Sequence, residues 1–586
     1  MSQYPNNFPD TNDTKAWFDY VDTLPSIGEH WVQTSKRPGN PVILKDTLGT
    51  NLTAKTALVG SIILSRRIAN ESPEQNIGIL LPTTAGSLVA GMAVVLLGKT
   101  LVPLNYTAPI ETMVSAIEQA NLQTVYTSTR FLENLKKRGI NLDSLADKVR
   151  LVMLEDLRAG VGTFEKISTL LQCKFMSSDW LQNRYCGKPD LHHTAVILFS
   201  SGSEGAPKGV MLSHHNLLAN VKQLSKILDA KDDDLIMANL PIFHSFGLTA
   251  CMFFAMLERI KIVCHTDPTD VVTIAKAIRE HRATLLFGTS SFFRLYIKNP
   301  KVKAEDMQSL RLTVAGAEKL QSEISASFKK RFGKVIHEGY GCTETSPVSN
   351  VNTPFPNLES PHLKDNNKPG TVGKPLPGTQ IRIADPDTLH ELPLGTAGMI
   401  LIAGPQVMQG YLNNEELTSK VVVQQDGMRW YVSGDKGSLD EDGFLTIEDR
   451  YARFAKISGE MIGLGTVEQA LRNVLNSELT SESEDLDEPT EVAEPGLADT
   501  EHEPEVPAEI MAINIPDPKK GEIIVILSTQ ELLERELRPR LLEAGLNNLS
   551  LPSAYITVES LPKLGSGKAD FATAKEIAKQ AILNKD

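Results

Sequence analysis

The run Phe199-Ser-Ser-Gly-Ser-Glu-Gly-Ala-Pro-Lys-Gly-Val210 gathers hydroxyls, glycines and a cation into twelve consecutive residues. Glycines at Gly202 and Gly205 let the backbone adopt positive φ and approach a ligand closely. The hydroxyls of Ser200, Ser201 and Ser203, with successive backbone N–H groups, can line a concavity for anionic oxygens. Lys208 adds a positive charge. This composition suits the holding of phosphates better than an ordinary Gly-Ser turn. It is not a Walker loop, because G-x-x-x-x-G-K-[ST] occurs nowhere. Gly565-Ser-Gly-Lys568 comes nearest, but Pro562 stands where the first Gly belongs and Ala569 where the hydroxyl belongs, which disfavours a P-loop phosphohydrolase.

A loop of this kind must leave a strand, and the apolar run Ala195-Val-Ile-Leu198 supplies one. Strand and helix patterns alternate elsewhere. Asn76–Pro82 reads as a buried strand, Ser87–Leu97 as a helix and Thr100–Leu104 as a strand; the pattern recurs over Thr124–Leu135, and over Ile260–His265 followed by Val271–His281. Such alternation predicts an α/β fold with mainly parallel sheets. Beyond about Ile381, strand-like runs between Gly turns predict a small β-rich subdomain. The expected division is a large N-terminal domain over 1–449, made of two α/β sheet subdomains plus that β-rich one, and a small mobile α+β domain over 450–586. In the latter, Thr466–Leu475 and Phe571–Ile582 read as helices, Ala508–Ile515 and Glu522–Leu527 as strands.

Four motifs occur in order: the serine-glycine loop, Tyr340-Gly-Cys-Thr-Glu344, Tyr431-Val-Ser-Gly-Asp435 and Leu561-Pro-Lys-Leu-Gly-Ser-Gly-Lys568. Together they resemble the acyl-adenylate-forming superfamily over roughly residues 40–575. Pro241-Ile-Phe-His-Ser-Phe-Gly-Leu-Thr249, Ala315-Gly-Ala-Glu-Lys-Leu320 and Arg453-Phe-Ala-Lys-Ile457, among other segments, look like the synthetase half of bifunctional bacterial proteins that join fatty acids to acyl carrier protein and acylate lysophospholipid. The resemblance implies an ATP- and Mg²⁺-dependent ligase that activates a fatty acid as acyl-AMP and passes it to the phosphopantetheine thiol of acyl carrier protein, or alternatively to CoA.

It also implies roles. The loop from Ser201 to Lys208 would hold the β- and γ-phosphates, Glu344 the magnesium, and Thr343 the α-phosphate. Tyr340 would stack on adenine beside Gly316, Ala317 and Glu318. Asp435 and Arg450 would hold the ribose, and Lys568 would reach the reacting carboxylate, where a compact ammonium on a flexible stem is apt. His244 would lie near the acyl carboxylate, with Phe243, Phe246, Phe287 and Gly288 along the acyl tunnel; a core role for the histidine is equally open. Bringing a carboxylate to a phosphate sets two anions together, so the reaction needs this neutralisation and alignment. Two departures stand out. The hinge, usually Gly-Arg-x-Lys-Asp, reads Asp449-Arg-Tyr-Ala-Arg453, and Leu464 and Thr466 replace the usual Pro and Glu of the next motif.

The chain has 586 residues with net charge −13, 41% hydrophobic and 22% charged residues. Twelve acidic and no basic residues fall between Ser477 and Pro507, a composition that predicts a disordered insertion. No basic tract supports nucleic-acid binding. An acidic carrier protein would need local cations, for which Lys519, Lys520, Arg538, Arg540 and Lys563 are the candidates. Five scattered cysteines have no metal-ligand spacing and fit a reducing cytosol. The longest apolar run, near Ala85–Gly98, is too short to span a bilayer. A cytoplasmic protein is expected, with peripheral attachment to the inner face of the membrane left open. His265-Thr-Asp-Pro-Thr-Asp270 matches the H-x-x-x-x-D spacing of glycerolipid acyltransferases, but with no such domain around it the match reads as accidental. A catalytically weak acyl-carrier binding protein is the reading from another class, and Lys208, Glu344, Asp435 and Lys568 argue against it.

Overall fold

The computed structural model describes residues 8–9, 12–200, 207–231, 233–354, 366–457, 460–484, 509–517, 520–563 and 569–583. It divides into two bodies. The first runs to Ser433 and includes Gly437–Ile447; the second takes residues 434–436 and those from Glu448 onward.

In the first body a nine-stranded sheet has at its centre six parallel strands, in the order Ile336–Gly341, Leu312–Ala315, Leu285–Gly288, Leu235–Ala238, Lys261–Cys264 and Val42–Asp46. A seven-stranded sheet is parallel from Thr194–Ser200 through Thr100–Pro103, Asn76–Ile79 and Thr124–Thr127 to Arg150–Met153. Its other end is antiparallel, where Lys208–Ser213 and then Gly410–Tyr411 add on. The third sheet holds Gln380–Ala384, Gly398–Ala403, Met428–Leu439 and Val422–Gln425, with Leu445–Arg450 on Met428–Leu439. This is the α/β architecture expected from the sequence.

One apolar core runs through all three sheets, taking in Leu44, Ile77 and Ile400. The apolar run of the sequence forms the helix Ala85–Leu96, started by Thr84, whose hydroxyl accepts from the Ser87 N–H. It has no polar face, so it is stable only where packed on every side. The helix His214–Ile227 is buried almost all round as well, yet it carries amides. These bond outward to backbone: Asn216 Nδ2 donates to the Pro405 and Val407 carbonyls, and Asn220 Nδ2 to that of Val348. Buried amides persist because each finds such a partner.

The second body is built on an antiparallel ladder between Ile510–Asp517 and Gly521–Ser528, with Phe454–Ile457, Glu460–Gly463 and Ala554–Thr557 completing the sheet. Period-two alternation sends Ala512, Ile524 and Ile526 to one core and Ile513, Val525 and Leu527 to another. The first core takes Val467 and Leu471 of the helix Leu464–Glu484, the second Ala574 and Ala578 of Phe571–Leu583. The expectation that the first of these helices stops at Leu475 is corrected. It runs to Glu484, into the acidic stretch, which opens with Glu and Leu among its serines and has no Pro to stop a helix before Pro489. The remainder of the proposed insertion, residues 485–507, lies outside the described residues.

Candidate functional site

Ser200 and Lys208 pair directly across the antiparallel hairpin of Thr194–Ser200 and Lys208–Ser213, so the two ends of the serine-glycine loop are held side by side. Ser201, Gly202, Ser203 and Gly205 within the loop, and Lys568 far along the chain, lie outside the described residues. The Lys208 ammonium sits 5.7 Å from the centre of the Tyr411 ring. The Tyr411 hydroxyl in turn donates to Glu344 Oε1 at 2.7 Å. Cation, ring and carboxylate thus form one chain from the foot of the loop. Burial first, then the Glu344 charge, pushes the Tyr411 phenol well above its ordinary range, so it is a donor at neutral pH.

Sequence reasoning did not find Tyr411. Its strand, Gly410–Tyr411, reaches the site only by pairing with Met211 and Val210, and nothing in a Gly-Tyr dipeptide announces that.

Glu344 lies in the short turn Thr343–Thr345, tied down by the Met408 N–H donating to the Glu344 carbonyl at 2.8 Å. Among the described residues no three His, Cys, Asp or Glu side chains form a metal-binding set. A lone carboxylate beside hydroxyls fits Mg²⁺ nonetheless, since that ion commonly takes one or two carboxylates and completes its shell with phosphate oxygens and water.

Next to this turn a cleft opens at the carboxyl ends of the parallel strands of the nine-stranded sheet, the usual ligand position in open α/β sheets. Its lining is mostly apolar with a few polar groups, the make-up of a ligand site. Of the expected residues, His244, Gly316, Ala317, Tyr340 and Thr343 line it. Ser245 Oγ lies 3.3 Å from Thr343 Oγ1. Ala317 has φ +71°, a conformation that turns the chain sharply after the strand Leu312–Ala315.

Glu318, in contrast, does not line the cleft: its carboxylate accepts from the Ser291 N–H and from Ser291 Oγ.

The apolar part of the cleft is contributed by Phe246, Phe287, Leu224, Leu228, Ala250 and Val314. Phe246 and Phe287 lie with ring centres 5.9 Å apart. Phe243 packs elsewhere, edge-on to Tyr106 at 4.9 Å, and Gly288 faces the Phe293 ring. Sequence reasoning named the two phenylalanines of the wall and missed Leu224 and Leu228, in and just after the helix His214–Ile227, whose polar residues are themselves buried and so do not mark an outer face. After His244 the chain continues into Gly247–Phe253 with π-helical bonding, a local widening often found at binding sites. A Cβ at Gly247 would collide with the Pro241 carbonyl, so this turn requires glycine.

In the second body Asp435 is buried and pairs with the exposed Arg450, Nε to Oδ1 at 2.9 Å. Arg453, at the departed hinge position, bonds Glu468 Oε1 at 2.5 Å and Asp449 Oδ1 at 3.4 Å and lies over the Phe571 ring. Of the cations considered for an acidic carrier, Lys563 is paired with Glu509 at 2.9 Å and Arg540 donates to the Val474 carbonyl at 2.6 Å; Lys519 lies outside the described residues. His265 of the H-x-x-x-x-D match is mostly buried, with Nδ1 2.7 Å from Thr47 Oγ1 and Nε2 3.6 Å from Asp270, which caps the following helix.

Residues 60–412 match the family described as AMP-binding enzyme. The long-chain-fatty-acid–CoA ligase of Bacillus subtilis is 30% identical over 64% of this chain and 60% of its own length. A probable 4-coumarate–CoA ligase 2 of Dictyostelium discoideum is 35% identical over 47% of this chain and 49% of its own. The chain thus spans roughly half to three-fifths of the length of these curated relatives. Among solved structures, ATP-bound MatB from Rhodopseudomonas palustris superimposes with a TM-score of 0.72 at 22% identity, covering 95% of this chain and 99% of that one, a likeness of fold.

Proposed function

Since the chain belongs to the AMP-binding enzyme family, we propose that it activates a long-chain fatty acid with ATP and transfers the acyl group to the thiol of CoA. In the first step a carboxylate oxygen attacks the α-phosphorus, forming a P–O bond and releasing pyrophosphate. In the second, the thiolate attacks the acyl carbonyl, forming the thioester as AMP leaves with the bonding electrons. The observation that carries this reading is the Lys208–Tyr411–Glu344 chain standing beside Thr343 at the mouth of an apolar cleft. A cation and hydroxyls suit the phosphates, and the phenylalanine-lined cleft suits an alkyl chain.

Each group then has a task. Lys208 and Ser200 would neutralise and orient the outer phosphates, and Thr343 would donate to the α-phosphate. Glu344 would hold Mg²⁺, with Tyr411 fixing the carboxylate; the ion supplies charge neutralisation of the polyphosphate. Asp435, an acceptor, suits ribose hydroxyls, and Lys568 would reach the carboxylate oxygen that attacks.

The names of the bacterial relatives favour CoA as the acceptor. Acyl carrier protein is the acceptor implied by the closer motif resemblance, but two of its candidate docking cations, Lys563 and Arg540, are already engaged within the second body. The test is release of AMP and pyrophosphate with a panel of fatty acids, CoA being compared with holo-acyl carrier protein. Thioester formation with CoA on long chains is expected. A much faster reaction with holo-carrier protein overturns the choice of acceptor, and absence of fatty-acid-dependent pyrophosphate release overturns the activity.

A further inference from the structure

The helix Thr163–Phe175 turns its apolar side the wrong way for a globular protein. Its inner face buries Thr169 and Cys173. Its outer face carries Phe164, Ile167, Leu171 and Phe175, spaced three or four apart so that they form one stripe. They are 85%, 53%, 46% and 66% exposed, and with Met176 they line a shallow surface groove. Scattered exposed hydrophobics are ordinary, but a contiguous stripe about 20 Å long is not. Trp180, on the next helix Ser178–Tyr185, is also 40% exposed.

Charge decides what covers the stripe. The single carboxylate of the helix, Glu165, is held by two arginines of the neighbouring helix, Arg67 at 2.6 Å and Arg66 at 3.5 Å. Lys166 and Lys174 are exposed on the helix itself. The Lys174 ammonium lies 5.2 Å from the centre of the Phe175 ring, at the border between stripe and solvent. The next helix adds Asp179 and Arg184, so Arg66, Arg67, Lys166, Lys174 and Arg184 outnumber Glu165 and Asp179 and the surroundings are positive on a chain whose net charge is −13. Phenylalanines, leucine and a tryptophan bordered by lysines and arginines are the composition of a helix that lies in a membrane interface. A second copy fits less well, because a two-fold contact on this stripe would bring two positively charged borders together.

We propose that this helix docks the protein on an anionic lipid surface, axis parallel to the bilayer plane, with Phe164, Ile167, Leu171 and Phe175 entering the acyl boundary and Lys174, at the flank of the stripe, facing lipid phosphates. Among the described residues no helix is long and apolar enough to cross a membrane, so the contact is peripheral. The inference does not depend on which thiol accepts the acyl group.

The experiment is co-sedimentation of the full chain with phosphatidylglycerol/phosphatidylcholine vesicles and with phosphatidylcholine vesicles alone. The unaltered chain should bind the anionic vesicles, more weakly as salt is raised. The triple variant Phe164→Ser, Leu171→Ser, Phe175→Ser should lose at least about tenfold in partitioning. Lys174→Glu should lose at least about fivefold on the anionic vesicles and little on neutral ones. Turnover of a short, water-soluble fatty acid should be the same in all three proteins, since none of these residues lines the cleft. If the triple variant fails to fold, the Lys174→Glu variant decides. Undiminished vesicle binding in the lysine variant and in a folded triple variant overturns the proposal. So does failure of the unaltered chain to bind vesicles, and self-association that the serine substitutions abolish would then assign the stripe to a second copy.

Discussion

On the proposed reaction Tyr411 would act through Glu344, to which its hydroxyl donates, rather than on a reacting atom, which would make it a positioning residue with a distinctive signature. Tyr411→Phe removes one hydrogen bond to a carboxylate, worth about 1.5–3 kcal/mol, and leaves the ring under Lys208. ATP–pyrophosphate exchange should fall on the order of tenfold and the Mg²⁺ concentration for half-maximal rate should rise, while the Michaelis constant for fatty acid stays put. An unchanged Mg²⁺ dependence would reduce Tyr411 to a packing residue. Gly316 offers a second residue-scale prediction. A Cβ there would come 3.1 Å from the Phe246 ring, so Gly316→Ala should crowd the apolar wall. We expect the Michaelis constant for long-chain acids to rise several-fold, with short acids and ATP little affected. If ATP suffers instead, the adenine-side role implied by resemblance is the correct one.

At the scale of elements, the departed hinge sequence has a physical explanation in the second body. Arg453 ties the segment after Leu445–Arg450 to the helix Leu464–Glu484, and Glu468 also accepts from the Ala512 N–H at 2.8 Å. The three-way junction of strand, hinge and helix is thus held by Arg453, with Arg472 3.7 Å from Glu468 on its other side, and two mostly buried carboxylates, Asp449 and Glu468. Burial pushes the Asp449 carboxyl above its ordinary value, and the Arg453 charge opposes that. Without Arg453, Asp449 keeps the Arg450 and Gly465 N–H donors and Glu468 keeps Arg472 and the Ala512 N–H, so Arg453→Ala should destabilise the second body by about 1.5–3 kcal/mol, the scale of a lost hydrogen bond to a charged group. Denaturant unfolding followed on this body should register the loss, with Arg453→Lys recovering only part because an ammonium cannot present the same fork. A change below about 1 kcal/mol would mean that the junction is held by its apolar contacts alone.

For the whole molecule, burial of histidines makes stability depend on acidity. His214 sits where the helix His214–Ile227 meets the rest of the core; its Nδ1 accepts from the Ile27 N–H at 3.3 Å. Burial, then the nearby His193, pushes its pKa down from 6.5 to about 3. His30 is pushed down as well, by burial and then by Lys222. A histidine kept neutral in the fold binds its proton more readily in the unfolded chain. Its contribution to stability is therefore fully present above pH 6.5 and is lost as pH falls from there toward 3. Thermal midpoints should decline progressively through that window. His214→Asn should be less stable at neutral pH but should show a shallower decline; an unaltered slope would assign the acid sensitivity to other groups.

The sequence alone determined the order of strands and helices, since periodicity and turn residues are local properties of the chain. Through four ordered motifs, each contiguous in the chain, it also determined the family. Residues separated along the chain were another matter. That Tyr411 reaches Glu344 depends on an antiparallel pairing between strands some two hundred residues apart, and that Leu224 and Leu228 line the cleft depends on a helix buried on every side. Glu318 sits beside two cleft residues in sequence, yet its carboxylate turns to Ser291, a choice made by the helix that happens to begin there. The outward stripe of Thr163–Phe175 shows the same limit. An amphipathic pattern tells which residues share a face, and only the packing of the neighbouring helices decides whether that face meets the core or the surroundings.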